Sequence, residues 1–243
     1  RTVGGWCVLL VLTMPMKNVA KEKTLGILML DSKFPRITGD VGSPNTFPFP
    51  VKKLIIKGAS PQRVVLEGDY ALLEPFIKGA LELEREGVDA ITTSCGFMAM
   101  FQKELAEKVH IPLFTSSLLQ VSLAYNCLPP NKCVGILTAD SRNLSERHFK
   151  GAGIDQIPKV VYGMEGSHFH DIFVKNSEHL NIQQAQQDIV GIAKRMVHEH
   201  PEVGAIVLEC TNMPPYAYAV ATATDMPVYD ITTLAAYVMA GHF

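Results

Sequence analysis

The sequence predicts an α/β protein of two similar domains with parallel-type sheets. A pseudo-two-fold axis relates them, and an active site lies in the cleft between. Three observations predict this. The pattern Gly-Ile-Leu-x-x-Asp-Ser occurs at residues 26–32 and again at 135–141, 109 residues later. A second pair, VDAITTSC at 88–95 and VGAIVLEC at 203–210, recurs at an offset of 115, and Pro112 and Pro227 each follow their cysteine by 17 positions. Short apolar, β-branched runs also alternate with longer helical patterns in both halves, the mark of a parallel sheet joined by helical crossovers. Self-similarity at a fixed spacing is one structural unit used twice.

Each element follows from local pattern. In the first half, strands are expected at 25–30, 53–57, 88–93 and 112–114, and helices at 71–86, 97–109 and 116–126. The stretch ALLEPFIKGALELERE (71–86) places apolar residues at helical spacing and stops at Gly87. In the second half, strands are expected at 133–138, 159–162, 204–208 and 227–229, and helices at 141–150, 181–199, 215–224 and 231–240. The turn-forming run Leu128-Pro129-Pro130-Asn131 marks the boundary between domains at 25–130 and 131–230. The C-terminal helix within 231–243 is placed to pack back on the first domain. The stretch 34–50, with Pro35, Pro44, Pro48 and Pro50, reads as a long irregular loop, a kind often used for function.

Composition limits the function classes. The 243 residues carry 22 Lys+Arg against 24 Asp+Glu, a net charge of −2, which gives no footprint for nucleic acid. No apolar run is long enough for a membrane-spanning helix. The apolar segment Trp6–Leu12 follows Arg1 with almost no charged region before it, and Asn18 is a poor cleavage-site residue, so residues 1–24 read as an N-terminal extension. Five cysteines, an odd number, point to free thiols in a reducing, cytoplasmic setting.

Cys95 and Cys210 each follow an expected strand and precede an expected helix. Ligands of open α/β sheets bind at the carboxyl ends of strands. A helix N-terminus offers free N–H groups and lowers a thiol pKa from about 8.5. One such cysteine alone would read as a buried apolar residue. Two at matching places in a repeat face each other across the cleft. They can then remove a proton from one face of a carbon and return one to the other, as general acid–base catalysis requires.

With LGILMLDS, TTSCGF and LECTN in place, the chain resembles the aspartate/glutamate racemase superfamily over residues 25–240. The resemblance implies two-base proton transfer by Cys95 and Cys210, no cofactor, no metal and a homodimer. It also implies that Asp31 and Ser32 meet the substrate amino group. The family's Cys-Asn-Thr motif becomes Cys95-Gly96-Phe97, whose amides still serve a carboxylate while Phe97 adds an apolar wall beside Ser94. The Gly-Cys-Thr-His motif becomes Glu209-Cys210-Thr211-Asn212, so Asn212 replaces a histidine that supports the second thiol. A carboxylate at Glu209 raises a neighbouring thiol pKa if it faces it, and strand alternation allows it to face away.

Other residues divide between site and scaffold. His168 and His170 fall in a polar loop, GMEGSHFHD, that reads as solvated surface or as a flap over an acidic substrate. Lys33 and Arg36 follow the first strand and read as a solvated face, with a second carboxylate as the alternative partner. Thr115 and Ser116 end a strand within reach of the cleft. Cys127 and Cys133 lack a second ligand pair and read as structural thiols. No phosphate-binding glycine motif appears, and nothing asks for a nucleotide. The expected function is a cofactor-independent racemase or epimerase of an amino acid, such as aspartate or glutamate, with a small-molecule substrate as its partner. A cysteine-dependent isomerase of the maleate type, a hydantoin racemase and a non-catalytic binding protein on the same scaffold are the alternatives.

Overall fold

The computed structural model describes residues 22–241; residues 1–21, with Cys7 and most of the expected extension, and residues 242–243 lie outside the described part. Strands β1 (Leu25–Leu30), β2 (Val51–Ile56), β3 (Ala90–Thr93) and β4 (Leu113–Phe114) form one sheet, and β5 (Cys133–Thr138), β6 (Lys159–Gly163), β7 (Val203–Leu208) and β8 (Val228–Tyr229) form another. The strand orders are β2-β1-β3-β4 and β6-β5-β7-β8, the same order twice. Every pairing is parallel. Parallel neighbours cannot be joined by a tight turn, so helices carry the crossovers. They are α1 (Leu73–Arg85), α2 (Gln102–Ala106), α3 (Gln120–Asn126), α4 (Glu146–Ala152), α5 (His168–Phe173), α6 (Ile182–Glu199), α7 (Ala217–Thr224) and α8 (Ile231–Ala240).

The central strands β1, β3 and β5 are buried along their whole length, as parallel strands covered on both faces must be. Successive side chains of β1 point to opposite faces. Leu28 and Leu30 pack in a core with Phe76, Ala80 and Leu83 of α1. Leu25, Ile27 and Met29 instead meet Ile231, Leu234, Ala235 and Met239 of α8. The last helix therefore covers the first sheet. Asp230 caps it, its carboxylate accepting the Thr232 and Thr233 amides at 2.7 and 3.1 Å. Gln120 of α3 donates to the Asp230 carbonyl at 2.7 Å and fixes the same corner.

The structure differs from the sequence expectation in several places. The helices expected from 97 and 116 open as 3₁₀ turns, Gly96–Phe101 and Ser117–Leu119. The helix expected over 141–150 begins only at Glu146, because the Asp140 carboxylate accepts the Arg142 amide and the Asn143 side chain and holds 140–143 as a turn. The segment around His168 and His170 is a short helix rather than a surface loop. Ser167 caps it, and His170 is buried with Nε2 3.0 Å from Asp140 Oδ2. The chain also makes a π-helical turn at Gln62–Leu66, in a stretch where no element is expected from the sequence. Among the described residues, no helix is long and apolar enough to cross a membrane.

Ala235 is fully buried between α8 and the first sheet. Ala235→Asp places an unpaired carboxylate there and is expected to cost more than about 3 kcal/mol, read as a lower urea midpoint.

Candidate active site

Both cysteines stand at the carboxyl end of a sheet's second central strand, held in the same way. The Ser94 amide donates to the Leu28 carbonyl at 2.9 Å, and the Glu209 amide to the Leu137 carbonyl at 2.8 Å. After each cysteine the chain turns at once, with Met98 N bonded to the Cys95 carbonyl at 3.1 Å and Met213 N to the Cys210 carbonyl at 3.0 Å. The amide two residues on, Phe97 or Asn212, donates to the sulfur. These bonds reproduce the offsets of 109 and 115 seen in the sequence, so the repeat is structural at the level of single amides.

The two strand ends are joined across the cleft. Thr211 donates its hydroxyl to the Ser94 carbonyl at 2.7 Å, and Ser117 donates to the Leu208 carbonyl at 2.6 Å. The loop after β1 adds the Val41 amide to the Thr211 carbonyl at 3.3 Å. Cys95 and Cys210 consequently line one small cavity. Ser94, Gly96, Phe97 and Asn212 line it too. Most of the remaining wall is apolar: Leu30, Phe34 and Val65 from the first half, Phe173 and Val174 from the second. Phe34 and Phe173 meet edge to face at 5.0 Å, and the Lys33 amide donates to Asn176 Oδ1 at 2.7 Å, which ties α5 over the cavity. Phe97 is backed by His148, whose ring lies 5.0 Å away and is kept neutral by burial, its pKa pushed down to about 4.

Several expected contacts are absent. Asp31 is exposed, and its carboxylate accepts the Gly58 amide at 3.1 Å instead of facing the thiols. Ser32 accepts from Arg36 at 3.2 Å. A second acid acting on Cys210, besides its neighbour Glu209, is Asp40, 1% exposed, which accepts from Asn212 Nδ2, from Arg36 at 2.7 Å and from the Gly42 amide at 2.7 Å. Its position in the irregular loop hid it, although a carboxylate within Gly39-Asp40-Val41-Gly42 is the signature of an Asx turn. Lys33 is exposed, and Arg36 belongs to the Asp40 pair rather than to the cavity wall. His168 accepts the Asn181 amide at 3.0 Å outside the cavity. Thr115 donates to Gln102 Oε1 at 2.7 Å, and Ser116 caps a 3₁₀ turn. Cys127 is exposed and Cys133 buried, and both are free.

Glu209 faces the cavity. Strand β7 ends at Leu208, so the alternation that could have turned Glu209 away from Cys210 no longer applies. The Glu209 side chain is fully buried; Oε2 accepts from Thr138 at 2.7 Å, and Oε1 has no partner among the described residues. Burial pushes its pKa up to about 7, against the pull of the Thr138 hydroxyl and the Ala139 amide. Burial and the Glu209 charge raise the pKa of both thiols. Arg36 partly offsets this at Cys95, whereas Cys95 and Asp40 add to it at Cys210.

A family model described as Asp/Glu/Hydantoin racemase matches residues 62–239. The chain belongs to the Asp/Glu/hydantoin racemase family. Within that family's fold, it is 32% identical over 228 residues to a dimethylsulfoniopropionate lyase of Durusdinium sp. clade D, covering 91% of this chain and 75% of that protein. It is 29% identical over 226 residues to dimethylsulfoniopropionate lyase 6 of Emiliania huxleyi, where it spans only 58% of the relative's length. A solved structure of a glycine-to-cysteine mutant of arylmalonate decarboxylase superposes with a TM-score of 0.63 at 16% identity, covering 90% of this chain and 94% of that one. That likeness shows the two-domain racemase-type fold and not a shared activity.

Two outcomes follow for this member of the racemase family. A Cβ at Gly96 would overlap both the carbonyl and the carboxylate oxygen of Glu209, so Gly96→Ala is expected to displace the Glu209 main chain and side chain, lowering the urea midpoint and impairing ligand binding. For Glu209 itself, the folded chain keeps a proton between pH 4.5 and about 7 that the unfolded chain has released. Its contribution to stability is thus full below 4.5 and lost as pH rises through about 7. Glu209→Gln is expected to match the parent at low pH and to be more stable at pH 8 by on the order of 3 kcal/mol, measured as the difference in urea midpoints.

Proposed function

We propose that this protein is a lyase that removes a Cα proton from a small carboxylate and expels a leaving group from Cβ, with dimethylsulfoniopropionate as substrate. The observation that carries the reading is two thiols on one largely apolar cavity whose wall, among the described residues, includes no lysine or arginine. An acidic amino acid needs a cationic partner for its second carboxylate, and here it would meet Glu209 instead. A sulfonium group needs none. The 32% identity to a lyase named for this substrate points the same way.

In this reading the Cys95 thiolate is the base, since Arg36 favours its ionisation. A cation arriving beside the buried thiol favours the thiolate further. Cys95 takes the Cα proton, the released pair forms the Cα–Cβ double bond, and the Cβ–S bond breaks. Dimethyl sulfide leaves with the bonding pair, acrylate remains, and the proton on Cys95 returns to solvent. The backbone amides of Gly96 and Thr211, beside those that meet the sulfurs, hold the carboxylate and the charge that develops on it.

Racemisation is the second reading, and the matched placement of Cys210 favours it. It shares the first step and differs in the fate of the carbanion, which Cys210 would reprotonate on the opposite face. The two predict different mutant patterns. For the lyase, Cys95→Ser is expected to lower dimethyl sulfide release by about 10²–10⁴-fold while Cys210→Ser costs less, as followed by gas chromatography. No dimethyl sulfide from the parent protein, together with deuterium uptake at Cα of an amino acid that either mutation abolishes, would replace the lyase by a racemase.

A further inference from the structure

Glu209 stands where the first half of the chain carries Ser94. Ser94 Oγ accepts the Leu30 amide at 2.8 Å. The equivalent amide in the second half, Ala139, donates to the Glu209 carboxylate. A hydroxyl is enough for that bond, as Ser94 demonstrates. Glu209 brings a charge and a second oxygen that the bond does not need. Oε2 also takes the Thr138 hydroxyl, whereas Oε1 of this cavity-lining residue is buried and has no partner among the described residues. The absence of a side chain at Gly96 opens the space this oxygen occupies, beside Cys95.

A buried carboxylate oxygen without a donor is costly unless a cation or donor meets it in use. The rings of Phe34, Phe97 and Phe173 line the same cavity, and among the described residues no cationic side chain does. A carboxylate among aromatic rings suits a methylated onium ion, which is large, weakly hydrated and unable to donate hydrogen bonds. We propose that Glu209 is the counter-ion for an onium group, so that the site selects zwitterions carrying a methylated sulfonium or quaternary ammonium on the carbon β to a carboxylate. This deepens the lyase reading and rests on it for the carboxylate end. Glu209 is faced by the Cys95 and Cys210 thiols, with Arg36 acting on the first and Asp40 on the second. Both thiols are held protonated in its presence, so the cavity's own charge at pH 8 is that of Glu209.

The test uses calorimetric titration of the whole chain with 3-(trimethylammonio)propanoate and 4,4-dimethylpentanoate, the isosteric carboxylate that has carbon in place of the quaternary nitrogen. At pH 8 the parent protein is expected to bind the cation at least about tenfold more tightly, and less selectively at pH 6, where Glu209 is largely protonated. Glu209→Gln keeps the shape of the side chain and is expected to bind the two equally at pH 8. Equal binding by the parent at pH 8, binding of neither probe, or undiminished selectivity in Glu209→Gln would overturn the assignment. The parent's own pH comparison stands even if the variant does not fold. Selectivity for the cation without dimethyl sulfide release would leave the counter-ion in place and remove the lyase.

Discussion

Two hydroxyl groups hold this molecule's working parts together. Thr211 donates to the Ser94 carbonyl and Ser117 to the Leu208 carbonyl, each bond running from one half of the chain to the strand end of the other. Those carbonyls lie immediately before Cys95 and Glu209. The cavity exists because these bonds bring two strand ends together, and all four groups are buried, where an unmade hydrogen bond would be expensive. Helix α8 reinforces the join from behind, since the end of the second half supplies the missing layer of the first sheet.

That closure creates an electrostatic problem the chain does not solve internally. Two thiols and a carboxylate share one buried wall; Glu209 disfavours ionisation of both thiols, Cys95 disfavours that of Cys210, and burial disfavours all three. The positive charge of Arg36 is already committed to Asp40, which in turn holds Asn212. A cavity of this kind is at rest when its acids are protonated. It is suited to a ligand that brings its own positive charge. This is why the proposed chemistry and the proposed selectivity meet at the same residue.

Much of the fold was legible because parallel sheets write themselves plainly into sequence: central strands buried on both faces are continuous apolar runs, and a duplicated unit repeats its landmarks. The GIL-x-x-D-S and Cys offsets correspond to equivalent amide bonds, Ser94 to Leu28 and Glu209 to Leu137. Short elements were less legible. Helix α5 has six residues, too few for a helical period to emerge, and its burial depends on a contact between His170 and Asp140 that are 30 residues apart. The motif resemblance points to Asp31 as a site residue, yet its side chain turns to the Gly58 amide while Asp40, nine positions later, folds back to Asn212.

The sequence by itself determined the two-fold repeat and the parallel α/β class of its halves, and it singled out Cys95 and Cys210, because these follow from local periodicity and from copies of one motif. Only the tertiary structure decided what surrounds the thiols. The direction of Glu209 depends on where β7 stops. The aromatic wall joins Phe34 and Phe173, which lie 139 positions apart in the chain. The charge of the cavity depends on which acids are buried in it and which cations are spent elsewhere. Those are properties of long-range packing and desolvation, which no window of residues contains.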